Sequence, residues 1–161
     1  MELKLPLGVM SKVDVARIMR ELNALDDFFT AAKVRETGAP VKPPHLTRSL
    51  NQLAHDNGFN LLDDGQRKEL QVKLNMIIGK APLLHISFAT EPTPRALERI
   101  IIWLRDNIHP QALLQVGLQP TIAAGCVLRT PNLLFDMSVR NYLKREEPYL
   151  MELIRGVARE R

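Results

Sequence analysis

Asp136 and Ser138 stand one residue apart in the run GCVLRTPNLLFDMSVRNYL, residues 125–143, where apolar strand-like residues give way to a helical pattern. A carboxylate and a hydroxyl so close could form an acid–base pair, hold an anion or cap a helix. Val139 opens an apolar helical face directly afterwards. A carboxylate before such a face can accept hydrogen bonds from the first free backbone N–H groups, and it meets the positive end of the helix dipole. Ser138 can share that work. A cap is worth about 1 kcal/mol, which accounts for both residues without a substrate. The expectation is a strand-to-helix junction, with Asp136 just beyond the last strand and a helix from about Ser138.

Other residue types capable of chemistry are scattered. His45, His55, His85 and His109 fall in four separate segments, none beside another His, Cys or carboxylate at a metal-ligand spacing. Neither GxGxxG nor GxxxxGK occurs, and no serine sits in a G-x-S-x-G elbow. Asp63-Asp64-Gly65 lacks the alternating oxygen ligands and closing glutamate of a calcium loop. The pairs Asp26-Asp27, Asp63-Asp64 and Glu146-Glu147 are adjacent in sequence, so on a helix their carboxylates do not face one cleft. Cys126 lies in an apolar run without an activating neighbour and reads as an inert thiol. These observations point away from an enzyme and imply no cofactor and no metal.

The 161 residues suffice for one domain or two small ones, and a 45% hydrophobic content can build a core. No window is apolar enough to span a membrane. The opening MELKLPLGVMSK is too weakly apolar and too charged for the core of a secretory signal. A lone cysteine cannot form an internal disulfide, which fits a reducing, cytoplasmic setting. The net charge of +4 permits a nucleic-acid partner, but aromatics are only 5% of the chain and no basic cluster brackets them.

The elements that must position these residues fall into two halves. Ser11 can cap a helix to about Thr37, on which Val15, Ile18, Leu22, Leu25, Phe29 and Ala32 form a heptad-like seam. The seam suits either a small bundle or a partner helix. Residues 38–44, rich in proline, break it. A second helix fits 45–57 with Gly58 as its stop, and a third begins at Asp63-Asp64 and runs to about Lys80. Period then changes. Residues 83–89 and 112–118 read as parallel strands flanking a helix from Pro94 to Asn107, a β-α-β unit. Strands over 122–129 and 132–135 flank the turn Thr130-Pro131-Asn132, and a final helix follows, restarted or kinked at Pro148. On the helix after Pro94, Leu97, Ile100, Ile101, Leu104 and Ile108 form one stripe, while Ile102 and Trp103 lie outside it as candidates for packing or for a partner surface. The fold class is α+β: a helical segment over 1–81, then a small α/β domain over 82–161 with a β-α-β unit, a short hairpin and a C-terminal helix.

The segment LQPTIAAGCVLR, residues 118–129, followed by DMSVRNYL, residues 136–143, resembles the C-terminal domain of the delta subunit of F-type ATP synthases, called OSCP in mitochondria. The family carries a small residue and Gly before a strand ending in a charged residue, here Ala124, Gly125 and Arg129, and then D-x-S-x-R-x-x-L, here Asp136, Ser138, Arg140 and Leu143. The resemblance covers about residues 83–145. Cys126 and the Thr130-Pro131-Asn132 turn depart from the usual pattern, and the helical first half is shorter than the family's bundle. Ala123, Ala124 and Gly125 lack bulk, which lets another backbone approach. Arg140, in a first helical turn, is poorly placed for the dipole, so an acceptor such as Asp136 or a strand carbonyl is expected.

The resemblance implies a non-catalytic stator protein that links the peripheral stalk to the catalytic head during proton-driven ATP synthesis. Its partners would be the C-terminal end of the b subunit, with a contact to the alpha subunits left open. Its place would be the cytoplasm, at the inner face of the membrane, with the membrane met only through the complex and no nucleic acid bound. The rival reading is a basic nucleic-acid-binding or regulatory adaptor using Lys144, Arg145, Arg155, Arg159 and Arg161, diluted by Glu146, Glu147, Glu152 and Glu160.

Overall fold

The computed structural model describes residues 3–34, 44–130 and 132–159. The order of elements is α1 (Lys12–Val34), α2 (Arg48–Asp56), α3 (Asp64–Lys80), β1 (Leu83–Phe88), α4 (Pro94–Asn107), β2 (Leu113–Leu118), a short 3-10 turn (Pro120–Ile122), β3 (Gly125–Arg129), β4 (Leu134–Ser138) and α5 (Val139–Arg159). The architecture is α+β: a helical N-terminal part, then an α/β region with a mixed four-stranded sheet and a C-terminal helix. The chain clusters into two compact units, Met1–Pro82 with Arg95–Leu114, and Leu83–Pro94 with Gln115–Arg161. Helix α4 therefore groups with the helices that precede the sheet.

Local chemistry sets the helix ends of the first unit. The Ser11 hydroxyl accepts from Asp14 N at 3.2 Å while the Asp14 carboxylate accepts from Ser11 N at 3.0 Å, a reciprocal capping box that starts α1. The second helix starts three residues later than its pattern suggests, because Thr47 supplies the cap, its hydroxyl accepting from Leu50 N. It ends where Gly58 adopts φ +70°, with Phe59 N on Ala54 O and Gly58 N on His55 O, the paired bonds of a Schellman motif. Asp63 caps α3 by accepting from Gly65 N and Gln66 N. The proline-rich segment 35–43 and the end of the α1 expectation lie outside the described residues.

The seam of α1 is closed within this unit over Val15 to Leu25, while Phe29 is half-buried and Ala32 exposed. Val15, Ile18, Leu22 and Leu25 are buried, and α1 packs on α3 and α2. The alternative of a seam open to a partner helix is thereby corrected. Phe29 is covered by the Arg67 guanidinium, 4.6 Å from its ring centre. Arg67 is itself buried and bonds Asp26 on α1, Asp64 on α3 and the Leu61 carbonyl, so its charge is fully answered. The opening segment, to which no element is assigned by pattern, belongs to this core. Leu3, Leu5 and Val9 are buried, and Arg105 of α4 donates to the carbonyls of Leu5, Pro6 and Val9.

In the sheet the strand order is β2-β1-β3-β4. Leu113 N bonds Pro82 O and Gln119 N bonds Phe88 O, the same sequence offset at both ends, so β1 and β2 run parallel. β1 and β3 are antiparallel with His85 opposite Arg129 and Ile86 opposite Leu128, and β3 and β4 are antiparallel with Leu128 opposite Phe135. Two expected boundaries move. The strand expected from Ile122 begins only at Gly125, because Pro120–Ile122 form the 3-10 turn and Ala123 reverses the chain. The last strand runs to Ser138, so Asp136 and Ser138 lie inside it and not beyond it. The tight turn is held by Thr130, whose N–H and hydroxyl donate to Leu133 O and whose hydroxyl accepts from Leu133 N, while Pro131 lies outside the described residues. Pro148 lies inside α5, which neither stops nor restarts there.

Candidate partner-docking surface

The approach to β3 is a sharp bend. Ala123 takes φ 65° and ψ −57°, and Ala124 N donates to Ile122 O at 2.9 Å, which makes Ala123 the centre of a γ-turn of the rare positive-φ kind. Gly125 follows at φ +93°, and a Cβ there would lie 2.5 Å from Met137 O and 3.0 Å from Ser138 Cα. Glycine is required on both counts. The small residues 123–125 therefore serve the backbone of β4, and Val139 N reaches Ala124 O at 3.0 Å to fix the start of α5 against this bend.

Of the two residues expected as caps, Ser138 acts as one and Asp136 braces the residue before the helix. Ser138 is buried and is the N-cap: its hydroxyl accepts from Asn141 N at 3.2 Å. Asp136 accepts from Ser138 N at 2.9 Å, one step before the helix instead of within its first turn. The Ser138 hydroxyl and amide hold the Asp136 carboxyl below the usual carboxylate range, helped by the charges of Lys144 and Arg140. Arg140 has no ion pair or hydrogen bond among the described residues, so the specific acceptor expected for it is not found.

Asn141 completes the junction, and its role is not visible in the sequence. Bonds from Thr130 N to Leu133 O and from Val139 N to Ala124 O fix the alternation of the β3–β4 ladder. By that alternation the backbone groups of Leu134, Asp136 and Ser138 face the open edge of the sheet. Ser138 N is taken by the Asp136 carboxylate, and the Asp136 carbonyl accepts from Asn141 Nδ2 at 2.9 Å. The edge is blocked to a further strand at the Asp136 carbonyl and the Ser138 amide.

What stays open is apolar. Strand register puts Ile86, Phe88, Cys126, Leu128, Phe135 and Met137 on one face. Ile86 and Leu128 are buried, whereas Phe135 is 47% and Met137 55% exposed. Burial pushes the Cys126 thiol pKa up. Further exposed apolar residues follow on α5, whose main neighbour is β4. Val139, Tyr142, Leu143, Tyr149 and Ile154 share one side of that helix by spacing, and all are exposed. Lys144, Arg145 and Arg155 are exposed on α5 with Glu147 and Glu152 among them, and Arg161 lies outside the described residues. In the helical unit Ile102 is 40% and Trp103 56% exposed.

Ala124, Gly125, Asp136, Ser138 and Arg140 thus meet at one strand–helix junction, while Leu143 belongs to the apolar strip and Arg129 lies on the opposite sheet face. Among the described residues no three His, Cys, Asp or Glu are grouped to hold a metal, and no helix is long and apolar enough to cross a membrane. No model of a known protein family matches this chain, and no characterised protein matches it.

Proposed function

We propose that this chain is a non-catalytic stator component of an F-type ATP synthase, joining the C-terminal end of the b-subunit stalk to the catalytic head. The observation that carries the reading is the exposed apolar strip from Phe135 and Met137 on β4 to Leu143 and Ile154 on α5. Contiguous apolar exposure of this kind marks a protein contact. Because Asp136 and Asn141 close the adjoining strand edge, the partner suited to the strip is an amphipathic helix, not an added strand. The end of a stalk helix has that form. The sequence likeness over residues 83–145 supports the same assignment, and the junction gives Gly125, Asp136 and Ser138 of its motifs structural work. Ile102 and Trp103 are the candidates for a second contact, to the alpha subunits. Such a protein resists torque through standing contacts and lies at the cytoplasmic, inner face of the membrane only by way of the complex.

The test is a titration of a labelled C-terminal b-subunit helix with the intact chain, followed by anisotropy. Binding in the micromolar range is expected, weakened about tenfold or more by Leu143→Asp, a truncation of one apolar anchor plus a buried charge. Absence of binding at micromolar concentrations would contradict the reading.

A further inference from the structure

On the opposite face of the sheet lies a hollow of about 280 Å³, lined by His85, Ser87, Gln119, Val127, Arg129 and Leu134. We infer that it is a binding site for a tetrahedral oxyanion of the phosphate class. His85 and Arg129 stand directly opposite each other in the β1–β3 ladder, which sets their side chains side by side. Among the described residues neither side chain has a hydrogen bond or an ion pair. Among the described residues no carboxylate lines the hollow. Asp136 shares the face, opposite Val127, but its carboxylate is engaged by Ser138 and its charged neighbours are Lys144 and Arg140, not Arg129.

The donors around the hollow suit an oxyanion. Arg129 offers a fork of N–H groups, and the imidazole of His85 carries an N–H in either tautomer. Ser87 adds a hydroxyl, and Gln119 adds an amide whose one bond runs to Thr121 Oγ1 at 3.2 Å. That is more donors than the two oxygens of a carboxylate can use, and it matches an ion with oxygens on several sides. Val127 and Leu134 supply an apolar wall that leaves the ion to the polar side chains. The site stands apart from the apolar strip and does not rest on the stator reading.

The test is a ¹H–¹⁵N titration of the whole chain with inorganic phosphate at constant pH and ionic strength. Saturable shifts at His85, Ser87, Val127 and Arg129 are expected, with sulfate competing for the same site. Arg129→Gln should weaken phosphate binding about tenfold or more, the loss of a charge-assisted pair of bonds, and Arg129→Lys should recover only part of it. His85→Gln, at an exposed position, provides a second variant whose binding should also weaken. Equal shifts with chloride, saturation by acetate at the same concentrations, or phosphate binding unchanged in both Arg129→Gln and His85→Gln would overturn the proposal.

Discussion

Gly125→Ala tests how the strand–helix junction is built, because its cost divides into two parts that other glycines of the chain isolate. The first part is conformational: alanine at φ +93° sits in a region that side chains disfavour by about 1–2 kcal/mol. The second is steric. The new Cβ would meet the Met137 carbonyl at 2.5 Å, and that atom is backbone, unable to rotate away. Strands β3 and β4 would have to part, at about 1–3 kcal/mol for overpacking. Together these give a loss of about 2–5 kcal/mol. Gly58→Ala keeps only the first part, since φ is +70° there and no atom lies within 4 Å of the added carbon. Its cost should be about 1–2 kcal/mol. Gly117→Ala keeps neither, its Cβ meeting Ser87 Oγ at an ordinary 3.5 Å, and should change stability by less than about 1 kcal/mol. Amide exchange reads each locally, at Cys126 and Leu128 for Gly125, in α2 for Gly58 and in β2 for Gly117. If Gly125→Ala costs no more than Gly58→Ala, crowding by Met137 is not what makes residue 125 a glycine.

Three further outcomes follow from the same geometry. Arg105→Met removes charge-assisted bonds to the carbonyls of Leu5, Pro6 and Val9; a loss of about 2–4 kcal/mol is expected, with the opening segment cut first in limited proteolysis. Asn141→Ala frees the Asp136 carbonyl at the sheet edge, so the variant should self-associate more readily than the parent in sedimentation velocity. The Asp136 carboxyl, lowered from 3.8, contributes stability that is complete above pH 3.8 and fades as pH falls through its lower folded value; carboxyl NMR should show it titrating below an ordinary aspartate, and Ser138→Ala should raise its pKa toward that of an ordinary aspartate.

Features decided within a few residues were legible in the sequence. Ser11, Asp63 and Gly58 act at the helix ends where their types place them, and the parallel pairing of β1 and β2 follows from the helix between them. The apolar spacing of Val15, Ile18, Leu22 and Leu25 marked a buried seam, but only tertiary packing could say that α2 and α3 cover it. Ile122 to Arg129 read as one strand because nothing polar interrupts it before Arg129, and nothing local announces a γ-turn at an alanine. Asn141 closing the edge and His85 facing Arg129 depend on register between separate segments. Side-chain pattern is blind to such pairings until the ladder is known.

Membership of the stator is decided by capture from the native organism's membranes in mild detergent, using the C-terminally tagged chain and identifying the bound proteins. Recovery of the b subunit together with the alpha and beta subunits of the head is expected, with b lost in Leu143→Asp. Recovery of none of these subunits would contradict it.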